Sequence, residues 1–422
     1  MAAVLTLMIT VVVASAASAQ LPSPASNTAI SGLDALVQEA LLQNPSVIAA
    51  RQRWEALMRV PIQQDTLPRP KIEFQNLAVG NAIPGNGLQT NSFAYFGYGV
   101  SQDIPFPGKL RLRAAVAQRD ADAAHAAYVA EQRQVVEQVR ETYFNLFYFS
   151  QTLGVLQRTR EDLRGVERIT QSQYEVGTAQ QQDVLKAQLE ITSILAETET
   201  TREEFGQAQA DLKSLLGREQ DSPEIPIENV KLTAFKLDRS RLHTLAMANS
   251  PEVKQARELE AKSADSLKLA REGYLPDFTI AYLYEKTGAA FPDYYMATIG
   301  VKIPLYFWRK QTPAIEQAGL EKGSAHAQTR AVKLSVLYQA RNQLIAIRTT
   351  RRVARIYRQG LIPQAQATLA SASAAYQVGK VDFQTLLSAE IDVLRLKQQY
   401  YRTVADHEIA VAKIQQIIGN TL

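Results

Sequence analysis

The chain has 422 residues, and its 46 Lys and Arg against 42 Asp and Glu leave a net charge of +4, too even a balance for the basic face that nucleic-acid binding requires. The absence of Cys excludes disulfides, thiolate metal sites, cysteine nucleophiles and a lipid anchor on an N-terminal Cys. His125, His243, His326 and His407 are scattered, and no cluster of His, Asp, Ser or Glu reads as a catalytic set, so the chain is read as no enzyme, with no cofactor and no resident metal.

Ala2 to Ala19 is an uncharged run of apolar and small residues ending in Ala17-Ser18-Ala19. It reads as a secretory signal over residues 1–19 with an A-x-A cleavage site, although no Lys or Arg precedes Arg51 to form the usual basic start. A linker over 20–32 follows. No later segment reaches the ~18 apolar residues of a spanning helix.

The sequence then repeats itself. Asn44-Pro45 returns as Ser250-Pro251 and Ala50-Arg51 as Ala256-Arg257, at an offset of 206, while Tyr174-Glu-Val-Gly177 returns as Tyr376-Gln-Val-Gly379 at 202. Matches in one order over most of the chain predict two copies of one unit, residues 33–217 and 240–419, joined by a linker over 218–239.

Each copy opens with a helical stretch closed by prolines, Leu33 to about Thr66 and Ser240 to about Gly273. Two short runs of β chemistry come next, predicting hairpins at about 71–104 and 276–304. In the second, Phe278, Ile280, Tyr282 and Tyr284 alternate with Asp277, Thr279, Ala281 and Leu283. The runs approach the ~9–11 residues of a tilted membrane strand, and their clustered Tyr and Phe suit an interfacial girdle. A soluble four-stranded sheet is the competing reading of alternation alone.

Long stretches follow with almost no Pro and few Gly, Lys109 to Glu175 and Pro313 to Gln377, each about 100 Å long if helical. Val139, Leu146 and Leu153 repeat every seven residues, as do Phe149, Leu156 and Leu163, in the manner of a coiled-coil seam. Gly177 and Gly379 break the rods, and shorter amphipathic helices return, completing helical hairpins over about 109–217 and 313–419. Four strands cannot close a barrel, and lipid tolerates no open sheet edge. Several chains would have to share one barrel: two would give eight strands nearly plugged by side chains, three would give twelve around an open lumen.

With the pattern Tyr-x-x-Gly-x7-Leu-x-Ala-[Gln/Glu] at Tyr174 to Gln188 and again at Tyr376 to Glu390, the chain resembles the TolC-like outer membrane efflux proteins over nearly its whole mature length. Ser101-Gln-Asp-Ile-Pro-Phe-Pro-Gly-Lys109 is similar to the strand-to-helix junction of that family's heavy-metal-cation branch. The resemblance implies a mainly α fold with a β-barrel part: a homotrimer with a twelve-stranded barrel in outer membrane lipid and an α-helical tunnel through the periplasm. It also implies a tripartite system with a periplasmic adaptor, or membrane fusion protein, and an inner-membrane pump of the resistance-nodulation-division class. The exported solute would be heavy-metal cations or, alternatively, drugs and other small organic molecules. A periplasmic coiled-coil adaptor is a weaker alternative, since such proteins usually carry one hairpin per chain.

By the same match, Val176, Gly177, Thr178, Val378, Gly379 and Lys380 are the candidate residues of an adaptor-docking tip. Family channels often narrow this end with acidic rings six residues after the glycine, where this chain has Asp183 in the first copy and Thr385 in the second. Glu390 lies just beyond and would add charge if it faced the lumen. The Ala- and Ser-rich run Ala365 to Ala375 suits close helix approach at a tapered end. Arg348, Arg351, Arg355 and Arg358, with Arg352 adjacent, make a basic stripe at helical spacing that reads first as a solvated face.

Overall fold

The computed structural model describes residues 32–288 and 290–419, so the expected signal over 1–19 and nearly all of the linker that follows lie outside the described residues. The described chain is mainly helical, with one sheet. In chain order it runs through α1 (Leu33–Gln43), α2 (Pro45–Leu57), α3 (Val60–Asp65), β1 (Lys71–Leu77), β2 (Tyr95–Ile104), α4 (Lys109–Glu175) and α5 (Gln181–Leu215). The second half follows with α6 (Arg239–Asn249), α7 (Pro251–Arg271), β3 (Asp277–Thr287), β4 (Tyr294–Lys302), α8 (Gln311–Ile356), α9 (Ile362–Gln377) and α10 (Phe383–Ile418).

The opening helical stretch is cut in two places by proline chemistry. Asn44 leaves the helix in an extended conformation, its Oδ1 accepts from the N–H groups of Ser46 and Val47 at 2.9 and 3.4 Å, and Pro45 starts the next helix where no donor is needed. Ser250 and Pro251 do the same in the second half. The first strand stops at Leu77, because the Val79 N–H turns to the Asn86 carbonyl at 3.0 Å and the Asn86 amide donates back to the Val79 carbonyl, closing a loop.

The two hairpins join into one antiparallel sheet of order β1-β2-β3-β4. Register places Phe74, Tyr98, Tyr284 and Tyr295 in one row across it, and Ile72, Val100, Tyr282 and Ala297 in the next on the same face. The opposite face carries Glu73, Gly99, Leu283 and Met296 in one row and Asp103, Thr279 and Gly300 in another. One face is therefore apolar and aromatic, with Ile72 87% and Ile299 77% exposed, and the other is mostly small and polar. Lys302 and Thr279 both donate to the Asp103 carboxylate on that polar face.

The strands feed directly into rods. Lys109, buried at the start of α4, donates to the Asp277 carboxylate and the Leu275 carbonyl, each at 2.8 Å. In the bundle α4 packs on both α5 and α10, and α10 packs on α8. Val139, Leu146, Leu156 and Leu163 of the expected seam are fully buried. Equivalent positions of the two halves are buried together: Leu36, Ala40, Val47 and Leu212 in one core, Leu242, Ala246, Val253 and Ile414 in another.

The second rod is not one helix, contrary to the sequence reading. Tyr357–Leu361 forms a π turn between α8 and α9. Pro363 explains its place, since a proline has no N–H to give and its ring would strike the carbonyl four residues back. A π turn also holds one residue more than an α turn. Before it, buried Val135, Val139 and Leu146 of α4 match Val336, Ala340 and Ile347 of α8 at an offset of 201; after it Gly177 matches Gly379 at 202. The turn absorbs a single extra residue and keeps both rods in phase.

Deleting Gly360 together with Pro363→Ala should give an unbroken helix with both faces still in phase and an unchanged or higher thermal unfolding temperature. Deleting Ala346 instead turns everything downstream by about 100° and should abolish cooperative unfolding in circular dichroism.

Candidate functional site at the end of the bundle

Both rods end in the same way. The Gly177 N–H donates to the Tyr174 carbonyl at 2.9 Å and the Thr178 N–H to the Gln173 carbonyl at 2.8 Å; the Gly379 N–H donates to Tyr376 at 3.0 Å and the Lys380 N–H to Ala375 at 2.9 Å. This is the paired cap in which one residue must be left-handed, and Gly177 and Gly379 take it at φ +78° and +71°. Nothing lies within 4 Å of where a Cβ would sit on either glycine. Packing therefore places no demand on these glycines; only the backbone turn does.

The structure brings the two turns to one end of the bundle, where a cleft of about 660 Å³ lies between them. Thr178, Asp183, Val378 and Gly379 line it. Val176 and Val378 are 72% and 67% exposed, so each turn presents one bare aliphatic side chain to solvent. Lys380 is exposed beside them.

The acidic positions separate in the structure. Asp183 is half-buried on the cleft wall with Lys186. Thr385 is exposed, but its N–H donates at 2.9 Å to the Asp382 carboxylate and its hydroxyl donates to the same oxygen, so it serves the start of α10. Asp382 is the acid that the reading by equivalence to Asp183 passed over. It also lines the cleft, and its hydrogen bonds from Thr385 hold its carboxyl below the usual carboxylate range. The signal was present as Asp followed three residues later by Thr at a helix start.

Glu390 is a correction. It is 5% exposed, inside the chain's own bundle, so it does not present its charge to a lumen. The placement follows from helix phase: Glu390 falls on the stripe of α10 that also buries Leu386, Leu387, Val393 and Leu394. Burial away from water, with Asp162 nearby, pushes its carboxyl up to about 7.

Below the turns the bundle is held by a buried hydrogen bond of 2.9 Å between the hydroxyls of Thr170 and Tyr376. Tyr376 is 6% exposed and packs edge-on against Phe383 at 6.0 Å, whereas its counterpart Tyr174 is 42% exposed. Further down, Glu137 of α4 is buried beside Glu141, with Lys413 of α10 at 3.8 and 3.0 Å from the two carboxylates. Burial and the neighbouring Glu141 raise the Glu137 carboxyl.

Comparison with known proteins now identifies the class. The family model described as outer membrane efflux protein matches residues 36–218 and again 242–420. The chain belongs to that family. It is 22% identical to the outer membrane protein TolC of Vibrio cholerae over 316 residues, covering 72% of each chain. It is also 22% identical to the cobalt-zinc-cadmium resistance protein CzcC of Cupriavidus metallidurans over 321 residues, covering 75% of each. The solved structure of CusC superposes with a TM-score of 0.81 at 17% identity, covering 92% of both chains. The protein is a TolC-like outer membrane efflux protein.

A raised carboxyl is stabilising when protonated, so the contribution of Glu390 is complete below its ordinary value of 4.5 and is lost as pH rises through about 7. Glu390→Gln, which cannot ionise, should unfold at a higher temperature than the parent above that pH. The difference should close on acidification to pH ~5; a gap independent of pH would show that the buried charge is not its source.

Proposed function

We propose that the chain is two copies of one unit, residues 33–217 and 240–419, and that three chains assemble into an exit duct through the outer membrane. The observation that carries this is the sheet: one apolar face, one mostly small and polar face, and β1 and β4 each paired on one side only within the described chain. Three copies place the edges together and close twelve strands, the apolar rows outward in lipid and the polar rows around the lumen. The rods continue from the strands as a helical tunnel across the periplasm. The wall is passive: it guides a solute and performs no chemistry on it.

The partners follow from the two turns. Val176, Gly177 and Thr178, with Val378, Gly379 and Lys380, form the surface offered to the helical hairpins of a periplasmic adaptor, which links the duct to an inner-membrane pump of the resistance-nodulation-division class. Asp183 and Asp382 supply the acidic ring at the narrow end. Heavy-metal cations are the proposed cargo; the likeness to the cobalt-zinc-cadmium resistance protein CzcC supports that reading. Small organic toxicants are the second reading.

A strain lacking the gene, with its partner pump intact, should become sensitive to cobalt, zinc or cadmium. Complementation with the parent should restore resistance, and a Gly177→Val/Gly379→Val variant should assemble yet fail to restore it. Sensitivity confined to dyes and detergents would replace the metal reading with the organic one, and full complementation by the variant would end the docking assignment.

The orientation of the sheet has its own test. Ile299→Arg on the apolar face should cost about 2–4 kcal/mol of stability in lipid bilayers, whereas Thr298→Arg on the other face should cost little. Equal costs in denaturant titrations from liposomes would reject a lipid-facing apolar side.

A further inference from the structure

The rods stand in the order α5, α4, α10, α8, with α4 against α10 at the centre and α5 and α8 at opposite borders. In the repeat α4 corresponds to α8, and α5 to α10, as buried Leu212 to Ile414 and Ala187 to Ala389 show. The central seam between α4 and α10 therefore has a counterpart, α8 against α5, that the chain does not form within itself.

The border of α8 has the composition of a seam that lacks its partner. Glu137, Phe144 and Phe147 of α4 are 8%, 7% and 3% exposed. Their counterparts at the offset of 201 are Tyr338 and Ile345, 67% and 52% exposed, and Arg348, also exposed. At the central seam the Phe147 and Tyr401 rings meet edge-on at 6.1 Å. The same transformation carries that pair to Arg348 and Glu199. It carries Lys413, which faces Glu141 at 3.0 Å, to Asp211, with Asn342 opposite and Arg341 adjoining.

Charge agrees with register. The exposed side of α8 carries Arg341, Arg348, Arg351, Arg352 and Arg355, while α5 carries exposed Glu199, Glu203, Glu204 and Asp211; Glu197 instead accepts from Gln398 of α10 within the chain. Among the described residues Glu199 pairs only with Arg202 of its own helix, an exposed pair of the kind that contributes little.

We propose that the basic stripe of α8 is the subunit seam, docking on the acidic face of α5 in a second copy of this chain, with Arg348 opposite Glu199 and Arg341 beside Asp211. The proposal rests on the trimeric reading above and adds to it which helices meet, in which register and by which charges. It replaces the solvated-face reading of the stripe.

The chain has no Cys, so introduced thiols are unique. Arg348→Cys/Glu199→Cys protein, assembled in detergent and treated with a short bis-maleimide, should run as covalent dimers and trimers on denaturing gels. Arg348→Cys/Asp211→Cys, whose second thiol lies about 18 Å further along α5, should stay monomeric. Native mass measurement before cross-linking separates the two ideas. A trimer that cross-links no better at 199 than at 211 overturns the seam while leaving the trimer; a species that is not a trimer overturns the reading beneath it. With the seam in place, Arg348→Glu should lower the trimer fraction at low salt, and adding Glu199→Arg to it should restore that fraction. Failure of the second reversal to restore it would remove the charge pairing.

Discussion

Every backbone N–H and C=O that enters lipid must find a partner in protein, and in this chain β1 and β4 each have one side that nothing in the described chain pairs. That requirement organises the rest. Four strands are too few to close on themselves, so in the proposed assembly completion comes from another copy. Among the described residues no helix packs extensively on the sheet's apolar rows, which stay exposed. Buried Lys109, bound to Asp277 and the Leu275 carbonyl, ties the first rod to the third strand, so in the proposed assembly the arrangement of the strands is passed to the rods.

The proposed duplication makes that inheritance economical, but it demands phase. Two rods of one repeated pattern present matching faces only while their residues stay in step, and one surplus residue would turn a face by about 100°. The π turn at Tyr357–Leu361 contains the surplus where Pro363 already breaks the hydrogen-bond ladder. The interruption is thus a condition of regularity: Val336, Ala340 and Ile347 before it and Ala372 and Tyr376 after it all remain buried.

Much of this was legible in the residues. The repeated Tyr-x-Val-Gly turns, the alternating strands and the heptads in Lys109 to Glu175 all report local periodicity, and periodicity survives without knowledge of neighbours. What was missed depends on neighbours. Nothing in the order Leu-Ser-Ala-Glu390 tells which stripe of α10 faces α4, and a carboxylate taken for lumen charge is buried against Asp162. Asp382 was passed over because equivalence to Asp183 led to Thr385, whereas helix capping moved the acid three residues back. Which strands meet where the two hairpins join was likewise out of reach, since the pairing between β2 and β3 spans the whole first pair of rods.

The two halves also show how equal sequences become unequal. Tyr376 is buried and hydrogen-bonded to Thr170, while Tyr174, its counterpart, is open to solvent. Each repeat element occurs once inside the chain and once at its border, and those settings select different chemistry. The interior seam can use aromatic rings and the buried acid Glu137 because it forms as the chain folds. A border must stay soluble until another copy arrives, and large apolar surfaces left open invite association with the wrong partner. Exposed arginines facing exposed acids meet that need: they are well hydrated apart, and on contact opposite signs fix the register while like signs reject a wrong one. In the proposed assembly, a basic α8 and an acidic α5 on one chain are the form that a repeated rod takes when its last seam is made between molecules.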